Sequence, residues 1–349
     1  MGMQYTGKDH INAVLGKGQT DRIPVRAMQS FRSVLDLAGV SGKEILTEPD
    51  KYVKALVKLW EVAPSDALVI LVGDPALSAE IAGLSFAEFK ALGLEKSLIE
   101  DKSTLKKMVL RDAKDYKRLQ YYIEICEKAC EALPNVVMDT FTASPWSTAM
   151  MMRGMEAMIC YTADDPDFVH ELLNFTTDLS KMMGDALLET GVGIVTIGDP
   201  SAGCSVISPT MFREWAKPYL QETINHLKRQ SETPIFLHIC GFTDPIMEDL
   251  VSLGIDGLSI DAPASLEKLV EISKSGIVIE GNFPGELYVE GTREQIEERV
   301  KESVETAAEG NGYRYILCSG CQVPDNAPLD NVKYFLEAGQ RYGRRPSAS

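Results

Sequence analysis

The sequence predicts a (β/α)8 barrel with a helical N-terminal extension, read as one domain over residues 1–349, and three observations carry that expectation. From about residue 63 short β-branched runs alternate with longer amphipathic stretches. Eight such runs are found along the chain, and the glycine fingerprint that a doubly wound open sheet carries after its first strand is absent. No Pro- or Ser-rich linker splits the chain, and no internal repeat is visible.

After the helical N-terminal stretch, the first candidate strand is IPVRAM (23–28). ALVILV (67–72) follows, then a longer helical insertion that leads to NVVMDT (135–140). The remaining candidates are GIVTIGD (193–199), PIFLHIC (234–240), GLSID (257–261), GIVIEG (276–281) and YRYILC (313–318). Between them, residues 165–189, 209–230, 242–254 and 292–310 place apolar side chains three and four apart, and several of these stretches open on Asp, Ser or Thr, as helices do. The terminal RRPSAS reads as a frayed tail.

Of the 349 residues, 45% are hydrophobic and 25% charged, so a large core can be buried. The 51 acidic against 35 basic residues leave a formal charge of -16, which opposes attraction to phosphate backbones and anionic lipid. Neither nucleic acid nor a membrane is an expected partner. The N-terminus lacks a signal peptide's basic start and apolar run, and no apolar stretch is long enough to span a bilayer, so a cytoplasmic location is expected. Seven cysteines, an odd number spread widely, do not form a secreted disulfide framework, and each has to be judged by its neighbours.

Barrels of this kind gather their chemistry at the C-terminal ends of the strands. His238 and Cys240 close the fifth candidate strand, and alternate strand residues point to one side, so both side chains can converge. By itself the pair suits burial in a core as well as it suits metal ligation. Asp261 ends the sixth candidate strand, and Cys318 and Cys321 end the eighth. One imidazole and two thiolates suit Zn2+, with a fourth position left for a substrate thiol. Cys321 is preferred over Cys318, because Ser319 and Gly320 provide a turn while Cys318 lies within the strand run. The alternative for these two, a redox Cys-x-x-Cys, lacks thioredoxin-like surroundings.

Asp199, at the end of the fourth strand, either orients a substrate or supports a metal ligand, or else caps the following turn. Ser144, Trp146, Ser147 and Thr148 either line a pocket, with helix N-terminal N–H groups offered to an anionic tail such as a sulfonate, or form a simple N-cap. The methionines of AMMMRGMEAM (149–158) serve as core filler or as the floor of an apolar cleft. Cys126 and Cys130 share a helical face, Cys160 and Cys204 have apolar neighbours, and His10, His170 and His226 fall on predicted helices, where they read as structural or solvated. Glu80 is a further candidate for the barrel mouth.

These residues, with TDRIPV, TASPWSTAMMMRG, DPSAGCSVISPTMFREWAKPY, HICGFTDPIMEDL, EGNFPGELYVEGTREQIEERV and SGCQVP, resemble the uroporphyrinogen decarboxylase superfamily, and within it the zinc-dependent cobalamin methyltransferases, over nearly the whole chain. The resemblance implies a single (β/α)8 barrel and a zinc site at His238, Cys240 and Cys321, with Asp261 as a displaceable fourth ligand. It also implies methyl transfer between methylcobalamin, carried by a partner corrinoid protein, and a small acceptor, most simply a thiol such as coenzyme M. Demethylation of a methoxy or methylthio donor is the alternative, and decarboxylation of a porphyrinogen a weaker one. The decarboxylases' Arg-Gln-Ala-Gly-Arg run is here Gln-Ser-Phe-Arg-Ser (29–33), without two arginines in register to hold carboxylates. Their Gly-Asn-x-Asp-Pro is here Gly-Asn-Phe-Pro-Gly (281–285).

Overall fold

The computed structural model describes residues 5–29, 35, 38–70, 75–84, 97–273, 276–311 and 313–345. Seven parallel strands lie side by side in chain order: β1 Ala67–Ile70, β2 Val137–Ala143, β3 Ile194–Gly198, β4 Ile235–Ile239, β5 Gly257–Ile260, β6 Val278–Phe283 and β7 Tyr315–Ser319. Helices connect consecutive strands, as parallel pairing demands. The expected strand at 67–72 runs into residues 71 and 72, which lie outside the described residues, as do 30–33 of the Gln-Ser-Phe-Arg-Ser stretch and 346–349 of the tail.

The first expected strand, 23–28, does not form a ladder. It makes a single parallel bridge, Val25 to Leu317. Its backbone is nevertheless engaged on both sides: Arg26 N–H donates to Leu317 O and Leu317 N–H to Pro24 O, while Asp66 N–H donates to Val25 O. Pro24 has no N–H to give and the segment is only a few residues deep, so no ladder extends.

The helices agree with the periodicity, with one local difference. Pro166–Leu188, Lys217–Gln230 and Arg293–Asn311 match the expected stretches, the last running one residue past its expected end. Residues Phe212–Ala216 form a π-helical turn ahead of Pro218, which removes one regular helix hydrogen bond there. Among the described residues no helix is long and apolar enough to cross a membrane.

Period-two alternation builds the sheet's inner face in layers. Ala67, Val137, Ile194, Phe236, Val278 and Ile316, one from each of six strands, form an apolar floor with Ile11 and Val14 of the helix Gly7–Val14. Gly257 of the remaining strand leaves room for the Phe236 ring, which a β-carbon there would meet at 2.5 Å. Two residues further along their strands come Asp139, Thr196, His238, Ser259, Glu280 and Cys318, all buried, so a polar layer lies directly above the floor.

Candidate metal centre

Arg26 holds the polar layer together. Its guanidinium is buried and donates to Asp139 Oδ2 at 2.6 Å and to Glu280 Oε1 at 2.5 and 3.1 Å. Burial opposes the arginine's charge, but Glu280 and Asp139 outweigh it and keep the group firmly protonated. Thr196 Oγ1 donates to Asp139 Oδ1 at 2.8 Å. On the other flank Ser259 Oγ donates to Glu280 Oε1 at 3.4 Å and lies 3.0 Å from His238 Nδ1.

That chain of contacts has a direction. A carboxylate paired with arginine only accepts, so the Ser259 hydroxyl gives its proton to Glu280 and offers a lone pair to Nδ1. Nδ1 then carries the imidazole proton, and Nε2 is left with a free lone pair. Nε2 faces Cys240 Sγ at 3.2 Å, and Cys240 Sγ lies 3.8 Å from Cys321 Sγ. One donor atom from each of His238, Cys240 and Cys321 lies within 4.8 Å of the others. The contact with Cys240 pulls Cys321 well below the usual thiol range. The same contact with Cys321, together with burial, pushes Cys240 up.

Two turns aim the cysteines. After β4, Gly241 takes φ +76, a left-handed conformation suited to glycine. After β7, Gly320 passes so close to the β5 end that a β-carbon would meet Ala262 N at 2.6 Å and Asp261 Oδ1 at 3.0 Å. Asp261 stands outside the donor cluster and ties these turns together, with Oδ2 accepting from Gly241 N–H at 2.8 Å and Oδ1 from Ala262 N–H at 2.7 Å. Cys318 is buried in β7, in the layer of His238 but outside the donor cluster.

The three donor residues line a cavity of about 680 Å³, also lined by Phe141, Thr142, Ser144, Ser147, Thr148 and several methionines. The methionines of 149–158 divide accordingly: Met150, Met151 and Met155 line the cavity, while Met152 and Met158 pack in the core. Ser144 is the N-cap of the helix Pro145–Arg153, but its side chain makes no capping hydrogen bond. Trp146 is buried and does not line the cavity; its Nε1–H donates to Ser201 O at 3.2 Å. Asp199 is buried with Oδ1 accepting from Ser147 N–H at 3.1 Å and Ser147 Oγ–H at 2.5 Å, and burial pushes its carboxyl up. It therefore binds the helix N-terminus beside the cavity.

Elsewhere the expectations meet simpler environments. Glu80 accepts the backbone N–H groups of Lys117 and Arg118, at the start of the helix Lys117–Ala132. Nδ1 of His10 contacts Thr20, His170 contacts Tyr219 and His226 contacts Asp185. Cys160 is exposed rather than packed. Sequence reasoning did not find Arg26, Glu280, Ser259 or Thr142. The available signal was an arginine and a glutamate inside otherwise apolar strand runs, each two residues from an apolar position on the same face.

Residues 6–342 match the uroporphyrinogen decarboxylase (URO-D) family. The chain is 22% identical to a methylcobamide:CoM methyltransferase of Methanosarcina acetivorans over 97% of its own length and 99% of that protein. It is 26% identical to a uroporphyrinogen decarboxylase of Xylella fastidiosa over the same shares of each chain. Among solved structures a methyltransferase from Methanosarcina mazei superposes with a TM-score of 0.76 at 22% identity, covering 97% of this chain and 99% of that one.

Proposed function

The chain belongs to the uroporphyrinogen decarboxylase family, and on that premise we propose that it is a zinc-dependent methyltransferase moving a methyl group between a corrinoid and a small molecule. The observation that carries this reading is the donor set of His238, Cys240 and Cys321, gathered in the wall of a cavity. An imidazole with a defined free nitrogen and two thiols 3.8 Å apart fit a zinc ion, which favours N and S donors. Bound there, zinc would supply Lewis acidity to a thiol or ether placed at its fourth position.

The chain's own residues divide the remaining work. Ser259, backed by Glu280 and Arg26, holds His238 in the tautomer that leaves Nε2 free. Asp261 accepts N–H groups from both adjoining turns and so sets the direction of Cys240; we read it as their anchor rather than as a ligand. Phe141 and the methionines keep the cavity wall apolar and exclude water. The chain lacks an Asp-x-His-x-x-Gly run for holding cobalamin itself, so the corrinoid is assigned to a separate protein docking at the cavity mouth. The segment at 24–26 is read as the eighth strand position, closing one barrel between β7 and β1.

A thiol acceptor and a methoxy or methylthio donor both suit this cavity. Porphyrinogen decarboxylation is disfavoured, because among the described residues that line the cavity none is a lysine or arginine to pair with the substrate's carboxylates. The test is to measure zinc content and then the loss of methylcobalamin absorbance with a panel of thiols, for the wild type and Cys321→Ala. Wild-type protein without zinc, or a variant with full metal and activity, would sink the proposal.

A further inference from the structure

The His238 ring has a second neighbour besides Ser259. Two residues beyond the polar layer, Phe141 on β2, Gly198 on β3 and Cys240 just after β4 stand on the same face of the sheet. Gly198 contributes no side chain there, and the Phe141 ring takes the space: a β-carbon on Gly198 would meet its Cδ1 at 2.9 Å. Gly198 is also the register partner of His238 across the β3–β4 ladder, so a ring seated over it reaches the imidazole. The two ring centroids lie 6.2 Å apart with their planes at 70°, an edge-to-face arrangement. His238 is buried, while Phe141 is half-buried in the cavity wall beside it.

One hydrogen bond does not fix an imidazole. The Ser259 hydroxyl, 3.0 Å from Nδ1, sets the tautomer, but the ring can still rock about that contact and swing Nε2 away from the thiols. Nε2 faces Cys240 Sγ at 3.2 Å, a contact that both atoms give up when they share a metal. Useful ligand geometry tolerates errors of only about 0.5 Å, so the plane of the ring needs a support of its own.

We propose that Phe141 is a positioning residue of the metal centre: seated over Gly198, its ring fixes the plane of the His238 imidazole and so the direction of Nε2. Ser259 sets which nitrogen is free, and Phe141 sets where it points. The proposal deepens the zinc reading of this site and rests on it for the affinity measurements, whereas the ring-plane measurement is made on metal-free protein.

The test begins with NMR of isotope-labelled histidine in metal-free wild type, where His238 is expected to show a restricted ring in contact with Phe141 protons. Phe141→Leu frees that ring yet keeps its Nδ1–H tautomer, a separation that a general loss of packing would not produce. Competition against a chelator should find zinc bound about two- to ten-fold more weakly by Phe141→Leu, and as tightly as in the wild type by Phe141→Tyr, which keeps the ring. Gly198→Ala keeps every side chain of the site but pushes the Phe141 ring aside, so it tests the same point even where Phe141→Leu folds poorly. It should weaken zinc binding in the wild-type background and have no further effect alongside Phe141→Leu. Wild-type affinity in both Phe141→Leu and Gly198→Ala, an equal loss in Phe141→Tyr, or an unrestricted His238 ring in the metal-free wild type overturns the proposal. Wild-type protein that takes up no zinc overturns the zinc reading instead, and the NMR result then decides the role of Phe141 by itself.

Discussion

The Nδ1 atom of His238 lies 3.0 Å from the hydroxyl of Ser259, and the same hydroxyl reaches Glu280 at 3.4 Å. A candidate ligand imidazole is thereby oriented from the neighbouring strands by residues that do not line the cavity. Replacing Ser259 with alanine is expected to weaken zinc binding by about 10- to 100-fold, the usual cost of losing such a partner. Competition against a chromophoric chelator measures it. Nitrogen NMR of the histidine rings in metal-free protein should show His238 losing its single tautomer, a change that a general loss of packing would not produce.

Cys321 and Cys318 lie three residues apart, but only Cys321 belongs to the donor cluster. Cys321→Ala should abolish stoichiometric zinc binding, while Cys318→Ala should retain it, because Cys318 is buried in β7 outside the donor cluster. Metal analysis after gel filtration decides between them. Retention of zinc by the first variant, or its loss in the second at unchanged circular dichroism, would reverse the assignment.

Gly320→Ala tests the turn rather than the ligand. The added methyl would press on Ala262 N and Asp261 Oδ1, both backed by the β5 end. The cost of relieving such overpacking is about 1–3 kcal/mol. Denaturant unfolding of the metal-free variant should show this loss, and zinc affinity should fall as Cys321 is displaced. An unchanged midpoint with unchanged affinity would mean that the turn yields freely.

Arg26→Met removes the only cation contacting Asp139 and Glu280 among the described residues and leaves two buried carboxylates without it. Breaking a buried pair in this way costs about 3–5 kcal/mol. Urea titration followed by circular dichroism measures the loss. A variant as stable as the wild type would show that the polar layer adapts by neutralising its carboxyl groups.

Much of this molecule was legible in the chain. The alternation of β-branched runs with amphipathic stretches placed all seven strands within a few residues of their observed positions, because side-chain periodicity records which face of an element is buried. It placed an eighth at 23–28, where Pro24 and a short engaged segment give only a bridge. His238, Cys240 and Cys321 were identified by residue chemistry and strand position, and the structure brings their donor atoms together. Trp146 was expected at the pocket because it follows a strand end, but helical geometry turns its ring into the core.

The sequence by itself determined the layer to which each strand residue belongs, since a period of two sorts side chains without reference to the rest of the chain. Only the tertiary structure decided which residues in a layer meet. Arg26 reaches Glu280 across 254 positions and Ser259 reaches His238 across 21, contacts set by strand neighbours and register. The assignment of the helix N-terminus to Asp199 was also decided there: an anion site is a local motif, but whether a carboxylate of the same chain already fills it depends on the packing of a distant loop.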